Sequence, residues 1–350
     1  MFIFLSPLRN IQQPMLTKQL LLFFSTLIFG CSVLYAQKND STKTIFDFMA
    51  LGDALEMELS TDMTLLKDQK KTNEYQPASI TFTDAAGQVQ KWEVKLRSRG
   101  KFRRRICVLP PLKLNFNKGD LQKAGLSKDD ELKLITHCVE GYEGKEFLMR
   151  EYLAYKLYQM ISPYALKVHL VEIKYRDSKT KAKTNGWGIL MEDEASMAKR
   201  YGAKLCDDCF STPKDSLNME QVNAACMFEY MIGNTDWSIQ MVRNVKMLKF
   251  KDGSKAAIVP YDFDFSGFVN ASYALPNADY KLTSIRERIF LSLTQSDAEI
   301  ATTKALFESK REAMIEHIKG FKALSAAGRN DAVNYLESFY ESLKQPLRRP

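Results

Sequence analysis

The chain has 350 residues, a formal net charge of +8 and 45% hydrophobic residues. Charged residues make up 26%, and glycine and proline together fill only 27 positions, so the composition excludes a disordered, collagen-like or coiled-coil chain. A chain of this length can bury a sizeable core in one large domain or in two lobes. The charge alone leaves several functions open, because it suits solubility, nucleic-acid binding or a phosphate-bearing ligand.

Residues 1–36 have the pattern of a secretory signal peptide. An uncharged, mostly apolar run from Leu20 to Tyr35 follows Lys18 and ends at Ala36, and it is too short to favour a membrane-spanning helix. The sequence therefore predicts export across the inner membrane to the periplasm or the cell surface, with no transmembrane helix in the mature chain.

Alternative interpretations of this leader stay open. A lipoprotein signal would be acylated at Cys31, and a third interpretation is an anchor that is not cleaved. Residues 1–14 form an unusually long lead-in, so translation could begin at Met15. Cleavage after residue 36 would reduce the net charge to +6, because only two basic residues and no acidic residue precede it.

Export makes disulfides possible, and five cysteines follow the predicted signal, so full pairing within one chain is excluded. The Cys206 and Cys209 pair favours a local disulfide or free thiols over a zinc site, because the three histidines are scattered. Cys226 lies on an apolar helical face and is expected to be buried.

Residues 37–194 are predicted to be rich in strands. A turn at 84–87 separates two alternating runs, which indicates a hairpin. In the next strand, Leu112 to Phe116, the side chain of Lys113 points away from the apolar face. A helix follows over 146–160, and its apolar side includes Glu151, a carboxylate that needs a partner if it is buried. Two further strands are predicted over 166–176 and 186–191.

Residues 195–350 are predicted to be mainly helical. Asn218 suits the N-cap of a helix that ends at Gly233. Strands over 244–250 and 256–261 are joined by an Asp-Gly turn. Two long helices end the chain, and a capping box at 296–299 begins the first of them.

A basic run directly follows the second hairpin strand. Six basic residues occupy the nine positions from Arg97 to Arg105, around Gly100. One interpretation is a loop that faces phosphate groups, and another is a solvated strand edge protected by charge. A nucleic-acid patch is not expected, because the run is single, contains one aromatic residue and belongs to an exported chain.

Two acidic motifs stand out in the second half. Gly233-Asn-Thr-Asp-Trp-Ser238 follows a helix, and its Asp236 could orient a hydroxyl nucleophile. Pro260-Tyr-Asp-Phe-Asp-Phe-Ser-Gly267 follows an apolar strand, and its two carboxylates are hard oxygen ligands of the kind that magnesium and manganese prefer. Each motif also has a purely structural interpretation as turn-forming aspartates.

The ordered series RSRGKFRRR, PPLKLNF, GWGILMEDE, GNTDWS and VPYDFDFSG resembles the CotH family of secreted atypical protein kinases, in a variant of the kind found in Bacteroidetes. The resemblance covers residues 90–270, and GNTD and PYDFD are its specific motifs. It implies an α+β, two-lobed atypical protein-kinase-like fold, with a strand-rich N-lobe over 37–194 and a mainly helical C-lobe over 195–350.

The resemblance also implies a nucleotide site. Arg99 and Gly100 would belong to the phosphate-facing loop, and Lys113 would contact the nucleotide phosphates. Glu151 would be the ion-pair partner of Lys113, which would also explain a carboxylate on the buried helix face. Glu192 would lie near the adenine-binding connection between the lobes.

The remaining roles fall in the two acidic motifs. By the resemblance, Asp236 would be the catalytic carboxylate, Asn244 and Asp262 would be metal ligands, and Asp264 would be a helper or an alternative ligand. Protein kinases usually place the asparagine five residues after the aspartate. Here the spacing between Asp236 and Asn244 is eight, so the loop must bulge if Asn244 is to be a ligand.

The functional prediction is an exported kinase that uses ATP with Mg²⁺ or Mn²⁺ and transfers the γ-phosphate to Ser or Thr hydroxyls of exported proteins. The sequence does not identify the acceptor protein. The alternative is a catalytically inactive kinase-fold binding module of the cell envelope or surface. The displaced Asn244 and the single glycine of the basic loop favour that alternative.

Overall fold

A computed structural model of the protein describes residues 43–294 and 296–350. These residues belong to one unit, 40–350. The predicted signal peptide, 1–36, and the possible acylation site Cys31 lie outside the described residues. In the described part of the chain, no helix combines the length and the apolar character that a membrane crossing requires.

Seven strands form a closed barrel in the order β1-β2-β3-β4-β5-β7-β6. Neighbouring strands are antiparallel, apart from the parallel pair of β1 and β6 that closes the barrel. The interior is filled by alternate apolar residues such as Leu59, Ile80, Leu114 and Leu134. The strands are β1 Leu55–Thr61, β2 Gln76–Thr83, β3 Val89–Ser98, β4 Leu112–Phe116, β5 Glu131–Thr136, β6 Val168–Asp177 and β7 Lys183–Glu192.

A second core lies on the outer face of β5, β6 and β7. Ile135, Leu170 and Ile189 point away from the barrel interior and pack with the helices. A three-stranded sheet in the order β10-β9-β8 adjoins these helices. The helices are α1 Ile45–Met49, α2 Met63–Asp68, α3 Arg103–Ile106, α4 Lys118–Lys123, α5 Gly141–Ile161, α6 Glu194–Arg200, α7 Met219–Ile232, α8 Ala301–Gly320 and α9 Ala326–Ser342, and the strands are β8 Ala203–Leu205, β9 Val245–Phe250 and β10 Ala257–Pro260.

The predicted two-lobed kinase-like fold, with a strand-rich N-lobe and a mainly helical C-lobe, is wrong. The structure is a closed, mixed, seven-stranded barrel with helices around it. The parallel contact that closes the barrel joins Leu55 to Val171, and local sequence patterns carry no information about so distant a pairing. The sequence analysis assigns neither β1 nor β5, and both strands are needed to close the barrel.

Several local predictions are confirmed. A turn at 84–87 joins β2 to β3, with the amide of Gly87 donating to the carbonyl of Asp84 at 3.0 Å. The Asn218 side chain caps α7, and Gly233 ends that helix in the left-handed conformation, at φ 66°. This conformation is costly for residues with a Cβ atom, which explains the glycine at the helix end.

Two disulfides account for four of the five cysteines considered above. Cys206 and Cys209 form a disulfide, which is one of the two states that the sequence left open, and Cys226 is free and buried, as expected. The second disulfide, Cys107–Cys138, joins residues 31 positions apart. It connects the residue that ends α3 to the segment between β5 and α5, and so anchors the basic run to the barrel.

Removal of the Cys107–Cys138 disulfide by a double alanine substitution is expected to lower the free energy of unfolding by about 3–4 kcal/mol, because the cross-link closes a long loop in the unfolded chain. The same change at Cys206 and Cys209, which closes a very short loop, should cost about 2 kcal/mol or less. Urea unfolding of the two variants, each with its remaining disulfide kept oxidised, tests this order of stability losses. An equal or larger loss for the Cys206 and Cys209 variant would contradict it.

Candidate functional site

A buried guanidinium joins the basic run to the acidic motif at 260–267. Arg103 donates from Nη2 to both carboxylate oxygens of Glu151 at 2.8 Å, and from Nε to Asp264 Oδ2 at 2.9 Å. Its Nη2 also lies 3.7 Å from Asp262 Oδ1. Arg103, Glu151 and Asp264 are all buried, so the carboxylates are held together by an internal cation. We call these four residues the Arg103 cluster.

The members of the Arg103 cluster come from three local elements. Arg103 begins α3, Glu151 lies in the middle of α5, and Asp262 and Asp264 flank Phe263 in the 3₁₀ turn Phe263–Phe265. The turn is fixed from both sides, because the Asp262 amide donates to Tyr155 Oη at 2.9 Å and Tyr273 Oη donates to Asp264 Oδ2 at 3.1 Å. The surrounding packing therefore sets the positions of the charges.

Two carboxyl groups of the cluster, those of Glu151 and Asp262, are harder to ionise than usual. Burial raises the pKa of Glu151 to about 8, and Asp264 and Asp262 add to the rise while Arg103 opposes it. Partial burial and the Asp264 carboxylate likewise raise the pKa of Asp262 to about 6, against the opposing charges of Arg103 and Arg99. Three carboxylates face one guanidinium, so an added cation would be favourable.

The predicted ion pair between Lys113 and Glu151 is wrong. Lys113 Nζ lies 2.6 Å from Glu131 Oε2 at a partly exposed site, and Arg103 is the partner of Glu151. Lys113 does point away from the apolar interior of the barrel, as predicted. Glu131 of the neighbouring strand β5 lies on the same face as Lys113. The sequence signal for Arg103 was present in the basic run, where nothing distinguished it from five other basic residues.

Basic residues line up across the outer face of three adjacent strands. Arg97 on β3 is in register with Lys113 on β4, which is in register with Lys133 on β5. Like charges directly opposite each other repel, so this row needs negative partners. We call these three residues the basic row. Glu131 pairs with Lys113, and Glu194 pairs with Lys133.

Lys133 is a candidate site residue that the sequence analysis missed. Its side chain is buried, and its ion-pair partner Glu194 is the first residue of α6. Burial lowers the pKa of Lys133 well below its usual value, and the positive charge of Arg99 lowers it further. A lysine indicates a functional site only when its strand is known to be buried. The sequence pattern did not identify β5 as a strand, so Lys133 was overlooked.

The charge of Arg99 acts on both this basic face and the acidic groups. Its backbone amide donates to the carbonyl of Pro111 at 2.8 Å, which fixes the start of the basic run beside β4. The next residue, Gly100, has a φ of 84° and is exposed. The positive charge of Arg99 lowers the pKa of Lys133 and also opposes the rise in the pKa of Asp262.

The loop after Asp236 bulges, which is the condition that the eight-residue spacing sets if Asn244 is to be a ligand. Ser238 and Arg243 exchange two backbone hydrogen bonds of 2.9 Å, so the intervening residues form a tight turn. Asn244, in the left-handed conformation at φ 51°, then donates from Nδ2 to Asp236 Oδ2 at 3.1 Å. The turn thus brings Asn244 back beside Asp236.

The hairpin of β9 and β10 brings Asp262 to the same place. Val245 is paired with Pro260, and the ladder continues with the amide of Tyr261 donating to the carbonyl of Asn244 at 3.0 Å. Asp262 is the next residue, with a φ of 66° and a side chain that is 47% exposed. Asp236, Asn244 and Asp262 therefore meet at one end of this hairpin.

Asp236 is a partly buried carboxylate with a loosely held counter-charge. Its Oδ1 lies 3.6 Å from Nε of Arg243, and its amide donates to Asn234 Oδ1 at 3.0 Å. Partial burial raises the pKa of Asp236, and Asp264 adds to the rise, whereas Arg243 and Asn244 oppose it. The group is accessible and ionisable, which suits proton transfer with a bound hydroxyl.

Glu192 makes its contacts within the fold. Its carboxylate binds Arg200 and accepts from the backbone amide of Lys167. The side chain is buried, and both of its oxygens are bonded. These contacts join β7 to α6 and to the residue before β6. These contacts therefore give Glu192 a role in stabilising the fold.

Glu229 is a buried acid that the sequence analysis also missed. It lies in the last turn of α7, and within the described part of the chain neither of its carboxylate oxygens has a hydrogen-bond partner in acceptable geometry. Burial raises the pKa of Glu229 well above its usual range, which favours the protonated acid. Its backbone carbonyl accepts from the amide of Asn234, the second residue of the GNTD motif.

Comparison with known protein families and with curated proteins gives no match for this chain.

Proposed function

We propose that the protein is an exported phosphotransferase that moves the γ-phosphoryl group of ATP to a Ser or Thr hydroxyl of an exported protein. The observation that carries the proposal is the meeting of Asp236, Asn244 and Asp262 at one end of the β9–β10 hairpin. The positive charge of Arg99 acts on Asp262 in this site and also on Lys133. Phosphoryl transfer needs such charge separation and positioning more than it needs a covalent nucleophile.

In this proposal Asp236 orients the acceptor hydroxyl and takes its proton. Asn244 holds one carboxylate oxygen of Asp236 and leaves the other toward Arg243. A raised pKa makes the carboxylate a better base. Arg99 and the basic row, Arg97, Lys113 and Lys133, would face the phosphates, whose negative charge would relieve the repulsion along the row.

The residues present fit a hard divalent cation at one position. Asp262 is half exposed, repelled by Asp264 and adjacent to Asn244, so its carboxylate and the amide oxygen of Asn244 would hold Mg²⁺ or Mn²⁺. Asp264 is less available, because its Oδ2 is bonded to Arg103 and Tyr273. The cation, when bound, neutralises phosphate charge that develops during transfer.

The motif resemblance to CotH-like kinases supports this proposal through the ordered motifs alone, since the barrel is not the fold that the resemblance implied. The two disulfides support export, because disulfides persist in oxidising compartments. The acceptor protein stays unspecified at this level.

Substitution of Asp236 by Asn is expected to reduce phosphoryl transfer about 10²–10⁴-fold, since it removes the proton acceptor and preserves the side-chain shape. Residues 37–350, with γ-labelled ATP and Mn²⁺ or Mg²⁺, would be assayed for label on the protein itself and on an added mixture of exported proteins. Asp252→Asn is the matched control, because Asp252 is exposed at the other end of the same hairpin. Labelling that survives in Asp236→Asn would exclude the role of Asp236.

A second candidate function is a non-catalytic binding module of the envelope or surface. One observation favours it: Arg103 already neutralises Glu151 and Asp264, two of the three clustered carboxylates. A thermal-shift titration separates the two candidates, because a ligand that binds only the native state raises its apparent stability. A rise in Tm with millimolar ATP plus Mn²⁺ supports a nucleotide site, and an unchanged Tm supports the binding module.

A further inference from the structure

An open cleft of about 460 Å³ lies beside the turn that follows Asp236. One wall is that turn, which includes Trp237, Met241 and Arg243. The other wall is the segment before α8, from Phe290 to Leu293, together with Tyr280 and Arg349. The cleft is separate from the Arg103 cluster and from the basic row, whose residues do not line it.

Arg243 connects the cleft to the proposed catalytic carboxylate. It lines the cleft and lies 3.6 Å from Asp236 through its Nε atom. The turn that carries it is rigidly held by the paired backbone bonds of Ser238 and Arg243, and the indole of Trp237 donates to the carbonyl of Asn234 at 3.2 Å. A hydroxyl that projects from a chain in the cleft toward Arg243 would therefore approach Asp236.

The walls combine apolar surface with positive charge. Ile239 and Phe290 are buried apolar residues of the walls, and Met241 at the rim is 65% exposed. Of the described residues that line the cleft, Arg243 and Arg349 carry the side-chain charge, and both charges are positive. Arg349 is fixed in place, since it lies over the Phe290 ring and donates to the carbonyl of Thr294 at 2.8 Å.

Nearby acidic groups only partly offset these arginines. Arg349 shares Asp297 with Lys304, so these three side chains have a net positive charge. The Arg243 contact to Asp236 is longer than a hydrogen bond, and about half of each side chain is exposed. Carboxylates on a ligand would therefore find two arginine partners without displacing a buried ion pair.

We propose that this cleft binds the acceptor as an extended polypeptide segment in which acidic residues flank the hydroxyl residue. The proposal rests on the proposed phosphotransferase function and adds the substrate class to it. Met241 and the partly buried Leu291 and Leu293 contact the side-chain stems of the peptide, and Arg243 and Arg349 bind the flanking carboxylates. A segment with basic flanks is repelled by the same arginines.

The first experiment measures binding in the absence of nucleotide. Fluorescein-labelled synthetic peptides carry one Ser flanked on both sides by Glu, by Gln or by Lys, and fluorescence anisotropy with the mature chain gives each Kd at low salt. The expected order of affinity is Glu, then Gln, then Lys. Equal affinities, or tighter binding of the Lys peptide, would overturn the proposal.

Met241→Glu localises the binding, because an exposed side chain can change there without loss of core packing. The new charge at the rim should weaken binding of the Glu peptide about three- to fivefold, and Met241→Lys should strengthen it by a similar factor. Leu275→Glu is the matched control, because Leu275 is 75% exposed and does not line the cleft. This substitution adds the same charge as Met241→Glu, and the Kd should be unchanged. Equal effects of Met241→Glu and Leu275→Glu would overturn the location.

Labelling with γ-labelled ATP then separates the two proposals. Transfer to peptides without any preference for acidic flanks would overturn the acceptor cleft and leave the phosphotransferase intact. Selective binding of the Glu peptide, without transfer to any acceptor, would support the cleft as a peptide site and contradict the phosphotransferase.

Discussion

Replacement of Arg103 by methionine is expected to lower the free energy of unfolding by about 3–5 kcal/mol, because it leaves the buried acidic side chains of Glu151 and Asp264 without their hydrogen-bond donors and their counter-charge. Arg103 makes three hydrogen bonds of 2.8–2.9 Å to Glu151 and Asp264, and all three side chains are at least 92% buried. Methionine retains much of the side-chain length but supplies no donor. Urea unfolding at pH 7 measures the change.

Lys113→Met is the matched control, because it removes the basic residue that the sequence assigned to Glu151. Lys113 and Glu131 are 20% and 31% exposed in their side chains, so the loss should be about 0–1 kcal/mol. A loss at Lys113 equal to that at Arg103 would show that Glu151 depends on Lys113, contrary to the contacts described above.

The effect of Arg103→Met should grow with pH. The pKa of Glu151 in the folded protein is raised from an ordinary 4.5 to about 8, so the folded state favours the protonated acid. The stability from this group is fully present below about pH 4.5 and is lost as the pH rises toward about 8. Arg103 opposes the rise in pKa, so its removal extends the loss to higher pH. Unfolding free energies at pH 5 and pH 8.5 should therefore differ more in the variant than in the unsubstituted protein.

The local elements that determine the candidate site could be predicted because each has a short-range physical cause. Asn218 supplies an N-cap, Gly233 permits the left-handed helix end, and an Asp-Gly turn sets the register of β9 and β10. That register alone brings Asn244 next to Tyr261 and Asp262. The eight-residue spacing also indicated a bulge, and the Ser238 to Arg243 turn has one.

The Arg103 cluster could not be predicted, because its partners are far apart in the chain and from different elements. Arg103 is 48 positions from Glu151 and 161 from Asp264. Only the four-residue helix α3 turns Arg103 inward while Arg104 and Arg105 remain on the outside. Six basic residues in nine positions leave that choice undetermined from the sequence.

The barrel escaped prediction for a related reason. β5 is buried on both faces, since Leu134 faces the barrel interior while Ile135 and Lys133 face the second core and α6. A strand buried on both sides loses the alternation of apolar and polar residues that identifies a half-exposed strand. Without β5, Lys133 was not recognised and Lys113 was the available lysine for Glu151.

Replacement of Asp262 by asparagine is expected to change activity and stability in opposite directions. Phosphoryl transfer should fall about 10³-fold or more, because the proposed cation loses its charged ligand. The free energy of unfolding at pH 7 should rise by about 1 kcal/mol, a value that allows for solvent screening of a half-exposed carboxylate. The physical reason is that the pKa of Asp262 is raised to about 6, so its negative charge is unfavourable in the fold.

Asparagine isolates the charge, whereas alanine would not. Asp262 has a φ of 66°, a conformation that asparagine adopts readily and that costs alanine roughly 1 kcal/mol. Asp262→Ala could therefore hide the stabilisation. Asp252→Asn serves as the control for activity, because Asp252 is exposed and its carboxylate accepts from Ser254 at 2.7 Å in a turn away from the site. Asp252→Asn should retain full transfer and should not be stabilised.

The pH dependence distinguishes this explanation from a simple packing effect. An acid whose pKa rises from 3.8 to about 6 on folding leaves stability intact below about pH 4 and reduces it as the pH rises to about 6. The gain in Asp262→Asn should thus be absent near pH 4, grow through this window and be constant above it. Tm values across pH 4–8 measure it. A gain in stability that is independent of pH would show that the asparagine improves packing. A loss of stability together with full transfer would contradict both the unfavourable charge of Asp262 in the fold and its role as a ligand. The expected combination has one cause, because the carboxylate that the fold destabilises is the one that a bound cation would neutralise.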